Sequence, residues 1–254
     1  MVLEAKYGRP VSGIAGNQWW LRGGVQPSEV LYAFQPLYQE GMETSLMNIN
    51  NPGTNNAAIA TTPTFAKATG WGFAAASTQY LTVGSGALAT AVPISMVCLF
   101  QADNITSAYP LLSISRSATT NEQWVLEAGG ATSSDPVRAV STAAGVTVAA
   151  VSSVGYVADT WNVGVAVFSA AAVRFGYLFN KNNIRTAWTH FGNWGTETTS
   201  STPSTNVDTT SIGYTTDAST PTYHGGKIGA CSMYKIALTH GQSVSIAEAL
   251  LELV

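Results

Sequence analysis

Charge is what this chain has least of. Asp, Glu, Lys and Arg together make up 10% of its 254 residues, against about 25% in an ordinary soluble domain. The 11 Lys and Arg are scattered singly and the net charge is −3. The clustered cations that displace counterions from a nucleic acid are missing, so no nucleic-acid partner is expected. Cysteine is nearly absent. Cys98 and Cys231 are too few for a disulfide scaffold or an all-cysteine zinc site. Both stand in β-like apolar runs, where a free thiol behaves as a small buried hydrophobe, and a bridge between them requires adjacent strands. No apolar run approaches the roughly 18 residues of a membrane span, and residues 1–10 carry no signal-peptide-like apolar stretch.

Catalytic patterns are missing as well. There is no Gly-x-Ser-x-Gly, no phosphate-cradling glycine loop and no His-Glu-x-x-His. The closest acid pairs, Glu40/Glu43 and Glu248/Glu252, fall in helix-like segments, where solvated surface is the default. Glu122 and Glu127 are five apart and point to opposite faces of an ideal strand. Asp208 and Asp217 are fewer carboxylates than a hard-cation site uses. No enzyme activity, metal or cofactor is expected from these patterns.

What the chain has instead is hydroxyl and small apolar surface, with 30 Thr, 24 Ser and 35 Ala. Its length suits a single all-β sandwich or barrel, which hides roughly 70% of the surface of the unfolded chain. Residues 1–30 stand apart, with Gly8, Pro10, Gly13, Gly16, Gly23, Gly24 and Pro27 around Trp19, Trp20 and Leu21. That glycine and proline density predicts an extended arm. The two indoles require it to dock, either on its own domain or as an anchor on a neighbour.

From Val30 to Asn56 the signals are mixed, with a short helix expected within 37–50. Beyond that, runs rich in Val, Ile, Tyr, Phe and Thr alternate with turn residues. They predict strands at 79–83, 93–101, 111–116, 123–128, 137–141, 146–152, 161–168, 173–179, 184–189, 209–214 and 227–236. Trp161, Val163, Val165 and Val167 share one face at period two. Small apolar residues opposite them, and scarce charge over 139–150 and 166–172, suggest either a second packed surface, such as another subunit, or simply an exterior dressed in Thr and Ala. Only the C-terminus reads as helix: Thr239 and Gln242 have capping-box spacing, followed by a stripe of Val244, Ala247, Leu250 and Leu251.

Several ordered segments resemble laminin-G-like, concanavalin A-like jelly-roll domains: Trp161 through Asn180, Ser211-Ile212-Gly213, Tyr223 through Ile228, and the ending from Tyr234. The front half, with Trp19 to Val25, Val30 to Pro36, Asn48 to Gly53, Gly70 to Phe73 and Gln79 to Leu81, is similar to the members encoded by bacteriophages and prophages. The resemblance implies an antiparallel β-sandwich of the jelly-roll type over 31–254, an extended N-terminal arm over 1–30 and a short C-terminal helix. It further implies display on a virion or another extracellular surface and no single activity; together with the missing catalytic patterns this gives the expectation of a non-enzymatic virion protein on capsid or tail, in contact with other virion proteins. The chain would be a homo-oligomer made in the host cytoplasm and displayed on the virion surface. The other function open to it is a carbohydrate-binding module of a phage fibre or an extracellular protein, meeting host-surface or environmental polysaccharide. For that function the candidate residues are Trp188, His190, Trp194, Tyr214 and Tyr223, whose rings could stack on sugar C–H faces. Trp19, Trp20 and Leu21 are the candidates for the anchoring arm.

Overall fold

The computed structural model describes residues 18–84, 91–116, 122–130, 135–182, 194–196, 207–217 and 220–254, with the backbone alone for 194–196, 216–217 and 220. Two antiparallel sheets face each other. One has the order β10 (Val146–Gly155), β9 (Pro136–Ala143), β8 (Gln123–Gly129), β7 (Ala108–Ser115), β14 (Thr209–Ile212), β5 (Tyr80–Val83) and β2 (Ala57–Thr61). The other runs β13 (Trp194–Thr196), β12 (Val173–Phe179), β11 (Asn162–Ala170), β6 (Ile94–Ala102), β17 (Gly226–Tyr234), β4 (Gly70–Phe73) and β3 (Thr64–Ala66), with β1 (Val30–Phe34) also paired to β17. A separate hairpin, β15 (Tyr214–Asp217) and β16 (Thr220–Tyr223), completes the described strands. The expected antiparallel sandwich with a short C-terminal helix is what the chain forms.

Period-two side-chain alternation divides each strand between two environments. In β6, Ile94, Met96, Cys98 and Phe100 enter the core between the sheets, while Val97 and Leu99 enter a second core on the outer face of the same sheet. β11 divides likewise. Ala166 and Phe168 face the first core, and Val163, Val165 and Val167 face the second. This is why both strands are apolar along their whole length.

The second core is closed from within the chain. The helix α2 (His240–Leu251) lies on it, with Val244, Ala247, Leu250 and Leu251 buried. Thr239 caps the helix: its Oγ1 accepts from the Gln242 N–H at 3.2 Å, and its own N–H donates to Gln242 Oε1 at 2.9 Å. Beside α2 lies the 3-10 segment Trp19–Gly24. The second packed surface that the Val163–Val167 row called for is therefore intramolecular, and that row gives no reason for another subunit.

Residues 19–30 also depart from an extended arm. Two 3-10 turns, Trp19–Gly24 and Pro27–Glu29, carry the chain onto its own domain. Residues 1–17 lie outside the described residues. The helix expected within 37–50 is the single turn α1 (Met42–Ser45). Val30–Phe34, read as mixed, is a strand because β17 offers it a partner and cores cover both its faces. The strand expected at 209–214 breaks at Gly213, whose φ of +77° is open mainly to glycine. The strand expected at 184–189 lies outside the described residues. Among the described residues no helix is long and apolar enough to cross a membrane.

The sheets come closest where β12 passes β9 and β10. A Cβ on Gly176 would stand 2.8 Å from the Ala150 carbonyl oxygen and 3.1 Å from that of Val137, so this crossing admits no side chain.

Candidate functional site

With α2 and the N-terminal segment covering the eight-stranded sheet, the other outward sheet face belongs to the seven-stranded sheet. Alternation decides what it presents. Leu81 and Val83 of β5 point into the core, which turns Tyr80 and Thr82 outward. In β7, Leu112 and Ile114 point inward, turning Ser113 and Ser115 outward; Ile212 of β14 does the same for Ser211. In β8 and β9 the outward positions are Gln123, Val125, Glu127, Arg138, Val140 and Thr142. Most of these outward side chains are nonetheless buried, Ser113, Ser115, Ser211, Gln123, Val125, Val140 and Thr142 among them; the partly open ones are Tyr80, Thr82, Glu127 and Arg138, and the last two form an ion pair at 2.6 Å across the β8–β9 register.

The β15–β16 hairpin folds back over this face from the turn at Gly213. Ser113 Oγ donates to the Tyr214 carbonyl at 2.7 Å, and Thr215 Oγ1 donates to Gln123 Oε1 at 2.5 Å. At the hairpin's base the His224 N–H donates to the Gly213 carbonyl at 2.8 Å. These bonds pin the hairpin to the sheet and fix three half-buried tyrosines beside its base. Tyr214 and Tyr223 are register partners, with ring centroids 5.1 Å apart. Tyr80 stacks on Tyr214 at 4.4 Å with 28° between planes, and stands 6.1 Å from Tyr223. Burial, then the neighbouring Tyr223 and Tyr80 phenols, raises the Tyr214 pKa above its ordinary value. Its hydroxyl stays protonated and able to donate at neutral pH.

The structure thus brings together Tyr214 and Tyr223 and adds Tyr80, which the sequence reading placed in a strand but did not single out. The available signal was parity: Tyr80 is one residue from inward Leu81 and so must face out. His224, next in sequence to Tyr223, does not join the group. It is fully buried, edge-on to Phe73 at 5.8 Å and to Tyr109 at 5.6 Å. Trp194 opens β13 at the edge of the eight-stranded sheet, opposite Phe175. Its backbone position therefore lies on the other sheet from Tyr80. Trp188 and His190 lie outside the described residues.

Trp19, Trp20 and Leu21 serve the second core. Trp19 is completely buried, and its Nε1 donates to buried Gln35 Oε1 at 3.0 Å. The Trp20 carbonyl accepts from Tyr234 at 3.2 Å, and Trp20 and Leu21 are partly buried against the same cluster. Because the Trp19 ring is enclosed by its own domain, it is not a group that can be offered to a neighbour. Elsewhere, Asp208 is exposed and accepts from Thr209 Oγ1 at 2.9 Å, while Asp217 ends β15. Among the described residues no three His, Cys, Asp or Glu groups gather where they could hold a metal.

No family model matches the sequence, and no curated protein sequence matches it. Solved structures do resemble the fold. Domain 4 of AbnA, a GH43 extracellular arabinanase from Geobacillus stearothermophilus in complex with arabinotriose, superposes with a TM-score of 0.63 and 12% identity, over 86% of this chain and 98% of that one. A mutant of Trypanosoma rangeli sialidase displaying trans-sialidase activity gives 0.56 and 10%, over 89% of this chain and 34% of that one. At these identities the likeness concerns the fold alone. The chain is an antiparallel β-sandwich whose fold resembles those two structures.

Proposed function

We propose that this protein is a carbohydrate-binding module that holds a polysaccharide chain against Tyr80, Tyr214 and Tyr223. The observation that carries this reading is the tyrosine cluster itself, three partly open rings fixed beside the partly open Thr82 on the outer side of the seven-stranded sheet. Sugar rings have C–H faces that stack on aromatic rings, and hydroxyl edges that exchange hydrogen bonds with groups such as Thr82 and the tyrosine phenols. Each ring contact contributes about 1 kcal/mol beyond the area it buries. Two or three of them, added to the apolar area the rings bury, make a weak single site on the order of millimolar affinity, useful when many copies act together.

The fold supports the reading, since the arabinanase domain was crystallised with arabinotriose. The module acts by recognition, without catalysis of its own, at an extracellular surface. Display on a phage particle is the narrower form of this proposal and rests on the front-half sequence likeness; neither structural neighbour named above is a virion protein.

The test is affinity electrophoresis and calorimetry against a broad panel of soluble polysaccharides, arabinan included. Binding to at least one, weakened tenfold or more by Tyr214→Ala and by Tyr80→Ala with unchanged melting temperature, is the expected result. No binding across the panel, or binding that both variants leave unaltered, overturns the proposal.

A further inference from the structure

Cys98 and Cys231 lie 134 residues apart counted inclusively, in β6 and β17, yet they are direct partners in the register of the eight-stranded sheet. Both side chains point into the same core, and both are fully buried thiols in the structure. The ladder defines their relation more closely. The Asp103 N–H donates to the Gly225 carbonyl at 3.0 Å, which makes that a hydrogen-bonded pair. The alternation runs from there along β17, with the extra residue at Gly229 taken up opposite Leu99. It reaches Cys98 and Cys231 at a pair without backbone hydrogen bonds between them. Such pairs hold their Cα atoms about 4.5 Å apart, inside the roughly 4.4–6.8 Å that a disulfide spans. Two β-carbons on one face of adjacent strands, at the closer of the two antiparallel spacings, are placed for a bridge.

We propose that Cys98 and Cys231 close an intramolecular cross-strand disulfide when the chain folds in an oxidising medium. In the reaction the two thiols lose two protons and two electrons and an S–S bond forms. The electrons reduce the disulfide of a small-molecule oxidant, such as oxidised glutathione, to two thiols by thiol–disulfide exchange. The bridge forms on the way to the native state rather than after it. Burial holds both thiols far above the ordinary thiol pKa, so the folded core contains no thiolate to attack an oxidant. Once formed, the bridge is sealed between the sheets by the same burial. It ties the two central strands of the eight-stranded sheet and closes a loop of more than half the chain, where a cross-link removes the most freedom from the unfolded state. This inference is independent of the glycan site.

The test uses the full chain, unfolded and refolded either with a mixture of reduced and oxidised glutathione or with dithiothreitol. Each product is then alkylated in denaturant and digested without reduction. In the glutathione-refolded protein the expected result is a monomer with no alkylated cysteine and one linked peptide pair containing Cys98 and Cys231. Its melting temperature should lie about 5–15 °C above that of the dithiothreitol product. The double variant Cys98→Ala/Cys231→Ala should melt at the same temperature after either treatment. Alkylation or glutathionylation of both cysteines, or a link between two chains, overturns the proposal. Equal melting of the two wild-type products overturns the stabilising role.

Discussion

His224 makes the stability of this domain depend on pH in a way that one substitution isolates. The imidazole is fully enclosed and its pKa is pushed down to about 4 by burial. Backbone groups of Lys227 and Gln101 lie close enough to favour the protonated ring in part. Neither ring nitrogen, however, makes a hydrogen bond of proper length and angle, so burial dominates. The unfolded chain carries a histidine of ordinary pKa, near 6.5. Between roughly pH 6.5 and 4 the unfolded state therefore binds a proton that the folded state does not, and stability falls as pH falls through that window. The whole span corresponds to at most about 3 kcal/mol, of which about 2 kcal/mol lies between pH 7 and pH 5.

His224→Phe keeps a flat ring against Phe73 and Tyr109 and removes the titrating group. Urea unfolding followed by tryptophan fluorescence, run on parent and variant at both pH values, cancels the carboxylates the two proteins share. The variant should differ by less than about 1.5 kcal/mol at pH 7, as volume-conserving core exchanges do. Its advantage should grow by about 2 kcal/mol at pH 5. Parallel losses in both proteins, within about 0.5 kcal/mol, would show that His224 is not held neutral and would refute the reasoning.

Four further substitutions probe the layers and the hairpin. Trp19→Ala should cost about 3–5 kcal/mol in urea unfolding, because its indole is fully buried in the second core and paired to Gln35; a loss below about 1 kcal/mol would return Trp19 to the status of a loosely attached arm residue. Gly176→Ala should cost about 1–3 kcal/mol, since its new methyl meets the Ala150 and Val137 carbonyl oxygens, whereas Gly145→Ala, with open space around it, separates backbone strain from this clash. Thr215→Val removes the hydrogen bond to buried Gln123, so glycan affinity measured by calorimetry should fall while the melting temperature moves by only a few degrees.

Much of the architecture was legible because period-two patterns are local. The Val163, Val165 and Val167 row, the Thr239–Gln242 cap and the helical stripe after it all identify their own elements without any distant partner. What the sequence could not show was which surface each pattern meets. Apolar residues on both faces of that strand left a neighbouring subunit or a Thr- and Ala-dressed exterior open, because nothing local says that α2 and the Trp19 segment return to cover the valine row. Val30–Phe34 was ambiguous because its partner, β17, lies some 200 residues away in sequence. The candidate site divides the same way. Tyr214 and Tyr223 are near in sequence and were grouped, but Tyr80 joins them only through the β5–β14 pairing. His224, next in sequence to Tyr223, faces the opposite way and is buried in the core. Trp194 shows the converse error, since an aromatic cluster read along the chain assigns one location to residues that strand order places on another sheet.

The scarcity of charge and the position of the candidate site have one physical origin. A two-layer sandwich usually leaves an outer face of each sheet to water, and each such face takes charged residues at every second position. Here the eight-stranded sheet is buried on both faces, against the seven-stranded sheet on one side and against α2 and the N-terminal turns on the other. Apart from Gln101 and the Ser169–Ala170 end, strands β6 and β11 therefore have no position at which a charge could be solvated, and a buried unpaired charge would cost several kcal/mol. Among the described residues, the proposed site lies on the outer side of the seven-stranded sheet, where Glu127 and Arg138 neutralise each other. With that pair neutralised, the proposed site would select a ligand through the Tyr80, Tyr214 and Tyr223 rings and the Thr82 hydroxyl, the two kinds of group a sugar chain complements. The layer that makes most of the domain dry thus also determines where, and by what chemistry, it can bind.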